Sequence, residues 1–283
     1  MPADNSEQIA EWNGALGQRW VAMQQEIDHF LVPFGEAALK AAAPQPGEQV
    51  IDVGCGCGDT SIEIARLVGP AGSVLGVDVS QPMLEVARSR GALANGAHLA
   101  FRDADASEAE LLGNTDLLFS RFGVMFFSQP SPAFSHLRKS LRAGGRCVFV
   151  CWRTPRDNPW AMTPLSAART VMGVTPAPAD PNTPGPFALA DEQRLRAILS
   201  SAGFGAIDAQ RFDAGVALGA TPRAAAERAM QIGPVSRLVR DSGVEHLPTI
   251  LDAVERALAP LAAPDGQVSL NGSTWIVSAT NPA

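Results

Sequence analysis

The chain has 283 residues, of which 46% are apolar, enough for one large α/β domain or a domain carrying an inserted cap, and too many for global disorder. A net charge of −7 with no basic block argues against a nucleic-acid partner, which needs clustered cations to neutralise phosphates, and more weakly against a membrane-surface role. Residues 1–7 show neither the basic region nor the apolar run of a secretory leader, and no apolar run approaches a membrane span, so a cytoplasmic location without membrane insertion is expected.

In chain order, Ile9, Trp12, Leu16, Trp20, Met23, Ile27 and Phe30 recur at steps of three and four, an amphipathic helical stripe. Gly14 and Gly17 interrupt it, which predicts one helix or two short ones, with Asp4 and Glu7 at capping-box spacing. Pro33 and Gly35 are expected to bend the chain into a further helix that ends at residues 43–47, Ala-Pro-Gln-Pro-Gly. Strands are then predicted at residues 49–53, 73–79, 98–103, 116–122 and 146–152. Helices are predicted at 60–68, after Ser80-Gln81-Pro82, and at 132–141, the last ending at Gly144-Gly145. This alternation implies right-handed crossovers and a mostly parallel sheet covered on both faces. Residues 154–186 are rich in proline (155, 159, 164, 176, 178, 181, 184 and 186), with one helix expected at 164–172. A helix at 189–201 and a strand at 206–212 follow, then helices over 221–261 broken at Gly233-Pro234 and near Gly243, and a final strand at 273–279.

The expected organisation is an N-terminal helical cap (1–43), a core (44–153), a Pro-rich insertion (154–188), a core continuation (189–219), a helical insertion (220–266) and a final core strand (267–283). Both insertions follow strands, so both are expected to contribute to a lid over substrate. The four cysteines, Cys55, Cys57, Cys147 and Cys151, are too few and too scattered for a disulfide framework. Cys55-x-Cys57 lacks the CxxC spacing and the second ligand pair of a zinc site, so no metal is expected.

The segment that carries chemistry is Val50-Ile51-Asp52-Val53-Gly54-Cys55-Gly56-Cys57-Gly58-Asp59-Thr60. An apolar strand runs into a turn with glycine at three alternate positions and then into a helix, which exposes backbone N–H groups at the carboxyl end of the strand. Asp78 ends the next strand, where a carboxylate can accept two hydrogen bonds from a ribose diol. The dinucleotide fingerprint would need a glycine where Asp59 stands, and an acid at that helix entrance is expected to face, and disfavour, a pyrophosphate. A nucleoside without phosphates is the ligand suggested.

Beyond this segment the chain resembles class I S-adenosylmethionine-dependent methyltransferases, most closely the ubiquinone/menaquinone C-methyltransferase type and related bacterial small-molecule enzymes. The resemblance covers residues 50–152, through Asp78, Arg102-Asp103-Ala104-Asp105-Ala106, residues 116–127 and Leu141-Arg142-Ala143-Gly144-Gly145-Arg146. It implies an α/β fold: a Rossmann-like, mostly parallel sheet with helices on both faces, an antiparallel last strand and helical cap insertions. It also implies S-adenosylmethionine as cofactor, with S-adenosylhomocysteine as product. By position, Gly54, Gly56 and Gly58 would pass under the methionine portion, and Asp52 would order the loop or meet the amino group. Asp78 would hold the ribose, Val79 and Met83 would flank the adenine, and Asp105, in preference to Asp103, would accept from the adenine amino group beside the Ala106 N–H. Ser120, Arg121 and Phe122 would lie near the sulfonium and the acceptor, and Trp20 would act as a lid over the cofactor.

Methyl transfer from a sulfonium is an in-line displacement that needs a positioned, desolvated nucleophile, and aromatic faces can steady the cation. Trp12, Trp20, Phe122, Phe126, Trp152 and Trp160 are candidates for that role, with ordinary core packing as the alternative for most of them. No general base stands out. His29 and Arg121 are the candidate catalytic side chains, while His98 and His136 read as structural or solvated and His246 lies in the late insertion. Long excursions after Trp152 and Gly219, and Ala143 where relatives have proline, separate this chain from the quinone enzymes, so the acceptor is expected only to be a small organic molecule methylated at O, N, C or S. The competing readings are a cofactor-binding sensor or subunit without turnover, and an NAD-linked oxidoreductase. The helical insertions offer faces on which two copies can pair as a homodimer.

Overall fold

The computed structural model of the chain describes residues 5–92, 98–175, 183–243 and 246–282. Asp4 of the expected capping box and Pro176, Pro178 and Pro181 of the Pro-rich stretch lie outside the described residues. The chain forms two compact units, one of Met1–Trp152, Pro181–Phe212 and Thr274–Ala283, the other of Arg153–Asp180 and Asp213–Ser273.

The first unit opens with three helices, α1 (Ser6–Asn13), α2 (Ala15–Ala22) and α3 (Gln24–Ala42). The breaks fall at Gly14 and Met23, not at Gly17 or Pro33. Gly17 stays helical because an added Cβ would lie 1.9 Å from the Trp12 carbonyl oxygen and 2.8 Å from Ser80 Oγ, so glycine serves close packing there. Pro33 and Gly35 do not interrupt α3. The apolar stripe Ile27, Leu31, Phe34, Ala38 and Ala42 is buried, and that packing outweighs the hydrogen bond lost at proline.

The alternating elements follow: β1 (Gln49–Val53), α4 (Asp59–Val68), β2 (Ser73–Asp78), α5 (Gln81–Gly91), β3 (His98–Asp103), β4 (Thr115–Arg121), α6 (Pro130–Arg138) and β5 (Leu141–Trp152). Helix α6 ends three residues earlier than the sequence predicts. Gly144 and Gly145 fall instead in an irregular stretch of β5, between the pairing of Leu141 with Thr115 and that of Arg146 with Leu117. After α8 (Glu192–Ser201), whose first turn is capped by Asp191 accepting from the Arg194 N–H, come β6 (Gly205–Gly219) and, at the end of the chain, β7 (Val268–Thr280). Both strands are longer than predicted, and both cross the unit boundary.

The seven strands lie in the order β3-β2-β1-β4-β5-β7-β6. Strands β1 to β5 pair in parallel, and β7 runs antiparallel to β5. Thr280 Oγ1 bonds to the Gly205 carbonyl and Thr274 Oγ1 to the Phe212 carbonyl, which makes β6 antiparallel to β7. Phe34, Phe119, Phe134 and Phe149 are among the largest fully buried side chains of this unit. The strand order reverses between β1 and β4, and open α/β sheets bind ligands in the crevice beyond the carboxyl ends of strands at such a switch point.

The second unit holds α7 (Pro159–Met172), α9 (Pro222–Gln231), α10 (Pro234–Ser242) and α11 (Leu247–Leu258), with α11 packed on α7 and α9. Pro164 lies inside α7, which starts earlier than predicted. Asn158 is fully buried and ties the unit's two chain segments together. Its amide donates to the carbonyls of Arg153, Thr154 and Ser273, while its oxygen accepts from the Ser273 N–H and from the Trp160 indole.

Candidate functional site

The glycine turn after β1 adopts the conformation its sequence requires. Gly54, Gly56 and Gly58 have φ of 69°, 53° and 83°, a region that disfavours side chains. At Gly54 an added Cβ would lie 2.7 Å from the Gly123 Cα, because the turns after β1 and β4 touch backbone to backbone. At Gly56 it would lie 2.8 Å from Met83 Cε, which places Met83 of α5 against the loop.

Asp78, at the end of β2, binds the same loop. Its carboxylate accepts from the Gly56 N–H at 2.8 Å and the Ser80 N–H at 2.9 Å. Burial pushes its carboxyl above the ordinary value, and N–H bonds from Ser80, Gly56 and Val79 oppose that rise. A carboxylate has about four lone-pair sites, so three N–H bonds leave one acceptor site open. The N–H groups of Gly54 and Cys55 are donated to the Val77 carbonyl, and that of Gly58 to the Cys55 carbonyl.

Asp52 is fully buried. Its Oδ2 accepts from the hydroxyls of Thr60 at 2.7 Å and Ser61 at 2.6 Å, which locks the first turn of α4 to β1. Its Oδ1 is buried and has no hydrogen-bond partner among the described residues. Burial pushes the Asp52 carboxyl up to about 6, against the opposing effects of those two hydroxyls and of the Arg121 charge. The loop thiols beside it are buried too. Cys55 is pushed well up and Cys57 up to about 12, so neither is a reactive thiolate.

Asp103 is the last residue of β3 and Asp105 lies two positions beyond it, so strand parity does not separate them, but their surroundings do. Asp105 is half-buried, accepting from the Ser107 N–H at 2.8 Å and from Asn5 Nδ2 at 2.9 Å; Asp103 is exposed and accepts from the Gln81 amide. Ala106 beside it is buried. The α1–α2 hairpin sits on the turn that follows Asp78. Ser80 Oγ donates to the Trp12 carbonyl at 2.7 Å, Asn13 Nδ2 donates to the Val79 carbonyl at 2.7 Å, and the Gln81 N–H donates to Asn13 Oδ1 at 3.0 Å. Ser80 thus uses its hydroxyl on the hairpin and not as a helix cap. Trp20 meets Trp12 edge-on at 5.5 Å between ring centroids, and Trp12 meets Phe126 at 5.3 Å, so Trp12 is the middle member of a row of three aromatic rings.

Past β4, Ser120 donates to the Val53 carbonyl at 2.7 Å and accepts from the N–H groups of Gly123 and Val124. Its hydroxyl is committed to joining the two turns. Phe122 takes a left-handed φ of 61°, rare for an aromatic residue, and stacks on Trp152 at 4.5 Å with 18° between the planes. Phe34 meets both rings edge-on, at 6.0 and 5.0 Å. The Arg121 guanidinium is paired with Asp28 and Asp59, each at 3.0 Å, which leaves it a structural ion pair and not a side chain free for the reacting groups. The Asp59 carboxylate, expected to face a ligand phosphate, turns instead to Arg121 and Arg90. His29 is exposed on α3, and His136 Nε2 is bonded to the Ala109 carbonyl.

Sequence reasoning missed Asn13, Gly123, Asp28 and Arg90. The Asn13-Gly14 pair inside a helical stripe is a turn signal that marks the hairpin corner, and Gly123 follows a central strand as Gly54 does. Nothing local marks Asp28 or Arg90.

Residues 50–145 match a family described as a methyltransferase domain. The nocamycin O-methyltransferase of Saccharothrix syringae is 26% identical over 179 residues, 62% of this chain and 61% of that one. A ubiquinone/menaquinone biosynthesis C-methyltransferase of Teredinibacter turnerae is 29% identical over 164 residues, 55% of this chain and 64% of that one. The match therefore spans less than two thirds of the length of either relative. Among solved structures, phosphoethanolamine N-methyltransferase 2 of Haemonchus contortus, in complex with phosphomonomethylethanolamine and S-adenosylhomocysteine, superposes with a TM-score of 0.53. It is 19% identical, and the likeness, one of fold, covers 89% of this chain and 53% of that one. Residues 50–145 thus match a methyltransferase domain, and over that stretch the chain is similar to the ubiquinone/menaquinone C-methyltransferases.

Proposed function

We propose that this protein transfers the methyl group of S-adenosylmethionine to an O, N, C or S atom of a small organic molecule. The observation that carries the reading is the bond between Asp78 and the Gly56 N–H, which sets a strand-end acid directly beside the glycine turn at the sheet's switch point, where it would bind the sugar.

The residues fit the cofactor on two counts. Asp52 Oδ1, buried and without a partner among the described residues, is an acceptor suited to a ligand ammonium. The N–H groups of Gly54, Cys55, Gly56 and Gly58 are all taken by protein acceptors, which disfavours a pyrophosphate on this turn and hence the NAD-linked alternative. That argument replaces the one from Asp59, whose charge is neutralised within the protein.

S-adenosylmethionine bound here supplies an electrophilic methyl group on a sulfonium. Asp78 would hold the ribose hydroxyls, Val79 and Met83 would flank the adenine, and Asp105 with the Ala106 N–H would read its edge. Gly54, Gly56 and Gly58 would let the methionine portion lie against backbone. Ser120 would act by fixing the turn that carries Phe122, and the Phe122–Trp152 stack would give that side of the site a rigid, water-poor wall. Trp12 and Trp20 would cover the nucleoside. No base is assigned, and positioning supplies the rate advantage.

The second unit would hold the acceptor, and two copies would pair through its helices. Among the described residues no helix is long and apolar enough to cross a membrane. With the net charge of −7, that supports a cytoplasmic enzyme that acts on a small molecule and not on nucleic acid.

A thermal-shift titration tests the reading. S-adenosylhomocysteine is expected to raise Tm and NADH to leave it unchanged. Asp78→Ala is expected to weaken S-adenosylhomocysteine binding by about tenfold to a hundredfold, the worth of a charge-assisted hydrogen bond. Stabilisation by NADH alone, or normal affinity in Asp78→Ala, would overturn it. Transfer of label from methyl-labelled cofactor to a metabolite pool separates an enzyme from a sensor.

A further inference from the structure

Four charged side chains close a ring beside the glycine turn. Arg90 pairs with Asp28 and Asp59, each at 3.1 Å, and Arg121 pairs with the same two acids, each at 3.0 Å. Every member has two partners of opposite sign, so the ring is neutral. Gln24, one turn before Asp28 on α3, also donates to Asp28.

The four members come from four elements that surround the turn. Asp28 is on α3, Asp59 opens α4 immediately after Gly58, Arg90 is in the last turn of α5, and Arg121 ends β4. Arg90 also donates to the carbonyl of Cys57 at 2.9 Å, inside the turn itself. Helix α3 crosses directly over Arg121, since a Cβ on Gly35 would lie 3.2 Å from Arg121 Cδ. One helical break further back, at Met23, begins the α1–α2 hairpin that rests on the turn after Asp78.

We propose that this ring is a clasp: it couples the docking of the N-terminal helices to the shape of the glycine turn, and so sets how long the nucleoside ligand is retained. Arg90 and Asp28 are positioning residues in this scheme and act through the Cys57 carbonyl and α3. The inference rests on the reading of the turn as the cofactor site. The ring's salt sensitivity follows from its exposure. A groove of about 840 Å³ lined by α3 and α4 residues reaches Asp59, Arg90 and Arg121, and the side chains of Asp59 and Arg90 are 36% and 28% exposed. Ions therefore reach the outer half of the ring, while Arg121 and Asp28, at 11% and 15%, form its sheltered half.

The test uses the full chain and S-adenosylhomocysteine, a ligand of no net charge at neutral pH whose own attraction to the site salt screens little. Dissociation is followed by stopped flow at low and high salt in the parent protein, Arg90→Gln, Asp28→Asn and the double variant. Each single variant is expected to release the ligand about tenfold faster at low salt, the worth of one charge-assisted bond. The double variant should be no worse than the worse single one, and the parent's rate should rise with salt while the variants' rates do not. Arg66→Gln, which breaks an exposed pair with Glu63, should leave the rate unchanged. Hydrogen exchange of residues 54–60 in the ligand-free protein should quicken in Arg90→Gln.

A lowered Tm with parental dissociation rates and parental exchange would mean that the ring only stabilises the fold, and the clasp would be refuted. Should Arg90→Gln fail to fold, the near-isosteric Asp28→Asn carries the same outcomes. If the parent binds no S-adenosylhomocysteine, the cofactor reading fails, and the exchange measurement still decides whether the ring shapes the turn.

Discussion

Asp52 gives a sharp quantitative handle on the site. A raised carboxyl in the folded state means that the native protein keeps a proton over a pH range in which the unfolded chain has already lost it. With a rise from 3.8 to about 6, the resulting instability is absent below about pH 4, grows between about 4 and 6, and is fully present above that. The gap is worth about 3 kcal/mol, and full burial leaves no solvent screening to discount it. Asp52→Asn removes the charge while its amide oxygen still accepts from Thr60 and Ser61. The ligand-free variant should therefore melt higher than the parent at about pH 8 and equally at about pH 4. Ligand binding should move the other way, because an amide in place of Oδ1 has no charge to offer an ammonium. S-adenosylhomocysteine affinity is expected to fall by about tenfold to a hundredfold in the variant. In the parent, binding should strengthen as pH rises through about 6, as Asp52 loses its proton. Melting curves and calorimetric titrations across pH read both effects. Equal Tm at every pH would show that the buried acid carries no penalty, and unchanged affinity in the variant would remove Asp52 from the ligand.

Two further outcomes are expected. Gly123→Ala should cost about 1–3 kcal/mol and weaken S-adenosylhomocysteine binding, since its Cβ would lie 2.6 Å from the Val53 carbonyl oxygen and 2.8 Å from the Gly54 Cα; parental Tm and affinity would show that the two turns can part freely. All four cysteines are buried, with Cys147 as well as Cys57 pushed up to about 12, so a thiol reagent should label the native protein far more slowly than the unfolded chain. Rapid labelling of the native protein at neutral pH would contradict that burial.

The features readable from the sequence are those whose causes are local. Strand β1 and the turn after it are a run of apolar residues followed by alternating glycines, and β3 is found at the predicted residues for the same kind of reason. Asp78 and Asp105 follow from their places at and beyond strand ends, because a parallel sheet puts all such positions on one edge. Proline and glycine rules failed where tertiary packing outweighed them, through Pro33 in α3 and Gly144-Gly145 in β5. Arg121 shows the limit most clearly. Its place after a central strand pointed to the reacting groups, yet its charge is taken by Asp28, 93 positions away, and by Asp59, 62 positions away. Spacing and periodicity determined where the glycine turn and its acids lie. Only the folded chain decided which charges meet beside them, because ion pairing depends on distance in space and carries no signature along the chain.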